Sequence, residues 1–211
     1  MDKQQIRDAY QLYWLENGTR PISVFTFCKK LDLPESDFYN EYSSFEAIEK
    51  DIWLSYFNKT LDQIQNDETY KQYTVREKLL TFYFVWVQTL KEHRSYILLH
   101  KKSLLNYGVM QPKPDVLENF RKAFYEYVRN LIKEGYATHE IKERKYISDK
   151  YVHGFWVQAL FVLRYWLTDT SDKFEMTDAA IEKAVNLSFK LIIENTLDSL
   201  VDFGKFLLTK K

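Results

Sequence analysis

Apolar residues recur every three to four positions along nearly the whole chain, the spacing of one helix face. Ile6, Ala9, Tyr10, Tyr13 and Trp14 fall at i, i+3, i+4, i+7 and i+8, and Asn17-Gly18 closes that amphipathic helix. Ser23 is placed to cap a short second helix reaching about Leu31. Pro34 suits the first turn of a third, with Phe38 and Tyr42 on its inner face. Ser43-x-x-Glu46 reads as a capping box for a fourth helix, striped by Phe45, Ile48, Ile52, Tyr56, Leu61 and Ile64.

The polar run Asn66–Tyr73 interrupts the pattern, and Thr74-x-x-Glu77 opens an apolar fifth helix from Val75 to about Glu92. A sixth helix is predicted over Ser95–Tyr107, then a break over Gly108–Pro114. A seventh runs from Pro114-Asp115 to Gly135, read as its closing glycine, with Tyr136–Tyr146 as a loop. The eighth, about Ser148–Leu167, carries Tyr151, Phe155, Trp156, Ala159, Val162, Leu163 and Trp166. Thr177 is expected to cap a ninth, striped by Ile181, Val185, Ser188, Ile192, Thr196 and Leu200. With no strand alternation and no repeat, the pattern predicts an all-α chain of about nine helices.

Composition agrees. Only 5 Gly and 4 Pro occur in 211 residues, too few for a strand-and-turn fold. Aromatics reach 17 %, which suits core packing first and a pocket for an apolar ligand second. The formal net charge is zero, so global charge favours neither nucleic acid nor an anionic membrane. A lone Cys28 excludes an internal disulfide and a cysteine-based metal site, and among Phe25, Phe27 and Leu31 it reads as a small buried hydrophobe. The start lacks the apolar core of a secretory signal, and the apolar stretches Leu79–Leu90 and Phe155–Leu167 are too short to span a bilayer. The expectation is a cytoplasmic protein without membrane association.

Little in the chain argues for catalysis. No Gly-rich phosphate loop, H-E-x-x-H or G-x-S-x-G motif occurs. His93 and His139 read as solvated, and His100 and His153 as core or pocket-lining, none at metal-ligand spacing. Lys142, Arg144, Lys145 and Lys150 are balanced by Glu140, Glu143 and Asp149, a solvated face. Arg164 lies in an apolar helix, where a charge needs a partner or a subunit seam. Neither an enzyme, a cofactor nor a metal is expected.

The segment Ser23–Glu46 has the layout of a helix-turn-helix, with a tight Leu31-Asp32-Leu33-Pro34 connection. Ile6–Tyr13 stands where the TetR family of regulators has an "I..AA..LF" helix. Leu33, Phe38-Tyr39 and Tyr42 resemble its "GVS..TLY.YF" core, and Ser44-Phe45-Glu46-Ala47-Ile48 resembles "SKEAL". Trp166–Ser171 with Thr177 is similar to the "W..D.S…T" junction before the last helix of some effector domains in that family, and the residues alone read as a turn and an N-cap. The resemblance implies a three-helix head over 1–43 and a ligand-binding and dimerisation bundle over 44–211. It implies DNA contacts from Arg20, Ser23, Lys29, Lys30, Ser36, Tyr39 and Asn40. An apolar effector would be lined by Tyr83, Trp86, Tyr96, His100, Phe120, Phe124 and Trp156, and the last two helices would form a homodimer seam.

Charge in the head runs against DNA binding. Pro34–Glu46 carries no Lys or Arg but has Glu35, Asp37, Glu41 and Glu46. Residues 1–57 hold six cations against ten carboxylates, a balance of −4. Duplex affinity depends on cations that displace counterions from phosphates. Two readings follow: a ligand-responsive transcriptional regulator, or a protein of the same fold that has lost DNA binding and serves as a lipid-, apolar-ligand- or partner-binding module.

Overall fold

Local capping chemistry sets the helix boundaries in the computed structural model, which describes residues 1–105, 115–141 and 148–193. Helix α1 (Lys3–Asn17) starts at Asp2, whose carboxylate accepts from the Gln5 amide at 2.8 Å while the Gln5 side chain accepts from the Asp2 amide at 3.0 Å. Gly18 ends it at φ 69°, a left-handed conformation that costs glycine nothing. Ser23 caps α2 (Val24–Lys30), accepting from the Thr26 amide at 3.2 Å. In the following turn Asp32 takes φ 51°, tolerated by a short polar side chain, and the Leu33 amide donates to the Cys28 carbonyl at 3.0 Å. Pro34 precedes α3 (Glu35–Glu41) in the capping position itself, just before the first turn where the pattern put it.

The cap of α4 (Phe45–Gln65) is Ser44, accepting from the Ala47 amide at 3.3 Å, one residue later than the Ser43 box predicts. Glu46, the other half of that expected box, turns to Arg20 instead. A short α5 (Glu68–Lys71) lies inside the polar run. The Thr74–Glu77 box before α6 (Val75–Glu92) is present, with reciprocal bonds of 2.9 and 3.2 Å. The predicted sixth helix is split into α7 (Arg94–Leu99) and α8 (Lys101–Leu105), because the His100 amide makes the tighter bond to the Ile97 carbonyl at the joint. These two short pieces and α5 bring the described residues to eleven α-helices.

After a 3-10 turn at Asp115–Leu117, α9 (Glu118–Ala137) runs through Gly135 rather than stopping there. A Cβ at Gly135 would come within 2.7 Å of the Ile141 side chain, so close packing and not helix closure explains the glycine. Helix α10 (Ser148–Thr168) follows, then a 3-10 turn at Asp172–Phe174 and α11 (Glu175–Ile193). Thr177 is the third residue of α11 and not its cap; it donates its amide and hydroxyl to Asp169. The expected break over residues 108–114, the Lys142–Arg144–Lys145 cluster and the Thr196 and Leu200 end of the last stripe lie outside the described residues, as does the side chain of Lys150.

Two units pack separately. The first joins Met1–Thr60 with Gln88–Ala123. Its core stacks Tyr10 on Phe45 at 5.2 Å, with Phe27 and Phe38 edge-on to Phe45 at 5.7 and 5.8 Å. The second joins Leu61–Val87 with the described residues from Phe124 onward, around Phe82, Tyr83, Trp86, Phe124 and Trp156. Aromatics supply most of both interiors, each ring burying a large apolar area with a geometric preference of its own.

Candidate nucleic-acid interface and effector region

Phe38 and Tyr42 turn inward from α3, so its outer face is left to Ser36, Tyr39 and Asn40, spaced i, i+3 and i+4. Tyr39 is 53 % exposed with its ring edge-on to Phe38 at 5.3 Å. Ser36 Oγ donates to Asp37 at 3.5 Å, and Asn40 is exposed. On α2 the exposed side includes Phe25, Thr26, Lys29 and Lys30, while Ser23 is committed to its capping bonds. Cys28 is buried, and burial together with the charges of Glu35 and Asp37 raises its thiol pKa.

The head's cations are mostly engaged inside the protein. Arg7 binds Asp51 at 2.7 Å, Lys30 binds Glu16 at 3.0 Å and lies over the Tyr13 ring, and Lys50 binds Glu118 at 2.8 Å. Arg20 binds Glu46 at 2.6 Å and Glu49 at 2.7 Å. Lys3 sits 5.4 Å over the Tyr42 ring. Lys29 is exposed and has no ion pair among the described residues. Four of six head cations therefore already neutralise carboxylates, so a phosphate must compete for them.

Arg20 is the centre of a larger cluster. Glu49, only 4 % exposed, also accepts from the Tyr10 hydroxyl at 2.6 Å. Burial and the bond to this carboxylate raise the Tyr10 pKa. The Arg20 guanidinium lies 5.7 Å from the centre of the Trp14 ring, and Trp14 meets His100 at 4.5 Å and Tyr96 at 5.8 Å. Burial, aided by the charge of Arg20, lowers the His100 pKa to about 4, so its ring is neutral at pH 7. Trp14, Tyr10, Glu46 and Glu49 are absent from the contacts that the resemblance implies. Glu46 and Glu49 are legible as an i, i+3 pair on α4, but nothing local signals that α1 and its exit loop supply the partners.

The expected ligand-lining residues are all buried. Tyr83, Trp86, Phe124 and Trp156 fall in the second unit, where Tyr83 meets Trp86 and Phe124 at 6.4 Å and Phe124 meets Trp156 at 6.0 Å. In the first unit, Tyr96 meets His100 at 5.0 Å and Phe120 meets Phe57 at 5.7 Å. The remaining histidines depart from expectation in two places. His93 is half-buried and stacked on Tyr56 at 4.6 Å rather than solvated, and His153 is exposed with Nδ1 at 3.2 Å from the Tyr125 hydroxyl rather than in the core. Arg164 is exposed, so it carries no burial cost.

On the second unit, α10 and α11 frame an open apolar groove of about 540 Å³. Val157, Phe161, Met176 and Leu187 line it and are about half exposed, with Ala180 and Ala184 between them. No helix among the described residues is long and apolar enough to cross a membrane.

Comparison with known proteins follows the same division. Residues 78–207, more than half of the chain, match the family model of the tetracyclin repressor-like C-terminal domain. No curated protein sequence matches significantly. A solved protein of Syntrophomonas wolfei, assigned to the TetR-family transcriptional regulators, superposes with a TM-score of 0.63 at 15% identity over 90% of this chain and 94% of that one. A Rhodococcus sp. RHA1 protein of unknown function gives a TM-score of 0.52 at 10% identity over the same shares. At these identities the structures speak for the fold. With a matched C-terminal domain behind a helix-turn-helix, the chain belongs to the TetR family of regulators.

Proposed function

We propose that the protein is a ligand-responsive transcriptional regulator in which residues 1–43 bind duplex DNA and residues 44–211 bind an apolar small molecule and pair two copies. The outer face of α3 carries this reading: Ser36, Tyr39 and Asn40 are exposed together on a helix whose other side is locked into an aromatic core. A major groove admits such a helix, where Asn40 suits an adenine edge and Tyr39 a phosphate or a base. Lys29 and Arg20 supply phosphate contacts from α2 and the loop before it. Two copies joined through α10 and α11 present two heads to a palindromic site.

The effector is apolar because Tyr83, Trp86, Phe124 and Trp156 surround any space it would open with rings. Its binding alters DNA affinity only as far as it prefers one position of the heads. Titration into labelled genomic duplex at low salt tests the reading. Binding should fall steeply with salt, and Lys29→Glu with Lys30→Glu should abolish it. No binding at low salt by an intact dimer overturns it.

One observation favours the second reading, a partner- or lipid-binding module without DNA contact. Arg7, Arg20, Lys30 and Lys50 are each paired with a carboxylate of the chain itself. Under this reading the double Lys→Glu variant behaves as the native protein in every binding assay, and native mass spectrometry finds an apolar molecule retained.

A further inference from the structure

The loop between α1 and α2 places Arg20 where its guanidinium fork engages two carboxylates at once, Glu46 at 2.6 Å and Glu49 at 2.7 Å. The two acids are unlike. Glu46 is 60% exposed in its side chain, and an exposed ion pair is weak and easily exchanged. Glu49 is 5% exposed in its side chain, and a buried carboxylate stripped of its cation is costly unless other donors replace it. One donor is already present, the Tyr10 hydroxyl at 2.6 Å.

A second donor stands by. The Tyr96 hydroxyl is buried without a hydrogen-bond partner, which is expensive for a polar group. It lies close enough that, after burial itself, the charges of Tyr10, Glu49 and Arg20 act on it. Arg20 itself is 41% exposed, and its fork matches a phosphate as well as a carboxylate.

We infer that Arg20 is a latched phosphate contact: Glu46 and Glu49 hold it in the free head, and on duplex it transfers to a backbone phosphate while the Tyr96 hydroxyl takes over Glu49. The inference rests on the DNA-binding reading and adds its regulation. Head affinity is set by competition between the chain's own carboxylates and phosphates, which accounts for an acidic head retaining an arginine at this position. Because Tyr96 and His100 also hold the Trp14 ring beneath Arg20, whatever shifts that corner shifts the latch.

Duplex binding by the full-length protein across a salt series tests this with single variants. Glu46→Gln should raise affinity about tenfold at low salt and steepen the log–log salt slope by about 0.9, one added phosphate contact. Asp2→Asn makes the same charge change on an acid that faces Gln5, and should leave the slope unaltered. Arg20→Gln in the Glu46→Gln background should remove the gain, and Tyr96→Phe alone should weaken binding. Thermal melting checks that each variant folds. If Lys29→Glu abolishes duplex binding while Glu46→Gln matches Asp2→Asn in affinity and slope, the regulator reading stands and the latch is wrong. If neither the native chain nor Glu46→Gln binds duplex, both fall. Binding by Glu46→Gln alone establishes the latch directly.

Discussion

Asp169 shows how one carboxylate can organise a junction between helices. Its Oδ1 accepts from the Ser171 amide at 2.8 Å and hydroxyl at 2.6 Å, and its Oδ2 from the Thr177 amide at 2.9 Å and hydroxyl at 2.5 Å. Burial opposes the charge, but the Ser171 and Thr177 donors outweigh it and hold the carboxyl at about 2 instead of 3.8. The unfolded chain therefore takes up this proton at a higher pH than the folded one. The resulting stability is present in full above about pH 4 and is lost as pH falls towards 2. Asp169→Ala should cost about 1–2 kcal/mol at pH 7, measured by urea unfolding. The gap between native chain and Asp169→Asn should narrow on going from pH 7 to pH 2.5, and a constant gap would remove this account. The junction was legible as a turn and cap in the order Asp169, Ser171, Thr177. Which residue caps was not, because that depends on how the chain bends between them: Lys173 and Phe174 adopt φ 49° and 66°.

Helix boundaries set by local caps agreed with the pattern at Gly18, Ser23 and Thr74, where donor and acceptor lie within four residues. Boundaries set by packing did not. Gly135 looks like a helix end in sequence, yet α9 continues because Ile141 folds back on it, its amide donating to the Gly135 carbonyl at 2.9 Å. Gly135→Ala improves helix propensity but drives a Cβ into the Ile141 side chain. It should destabilise by about 1–3 kcal/mol, and Ile141→Val in the same chain should restore part of that. Thermal melts of the three variants decide it; a stabilised Gly135→Ala would show that the contact is loose. The same element turns Lys78 to Glu134 and beneath the Tyr70 ring, beside the Tyr70–Tyr127 hydroxyl pair at 3.0 Å, a polar cluster drawn from three helices.

For the whole molecule, the exposed side of α10 and α11 is the feature that a single copy leaves unfinished. Phe161 and Leu187 are 46% and 58% exposed in a groove with small residues between them. A two-fold pair of such surfaces forms a four-helix seam. Light scattering at micromolar concentration should give a dimer of 25.5 kDa chains, and Phe161→Glu with Leu187→Glu should give a helical monomer. A native chain that runs as a monomer rejects the seam and the two-headed arrangement built on it.

The amino-acid order alone determined the helical class, the helix-turn-helix layout and the acid excess of the head. These follow from residue periodicity, nearby caps and a count of charges, all properties of short range. Only the tertiary structure decided which of the head's cations are engaged. Arg7 finds Asp51, Arg20 finds Glu46 and Glu49, and Lys50 finds Glu118, across separations of 26 to 68 residues. A charge is neutralised by whatever packing brings within a few ångströms of it, and a linear pattern holds no record of that distance.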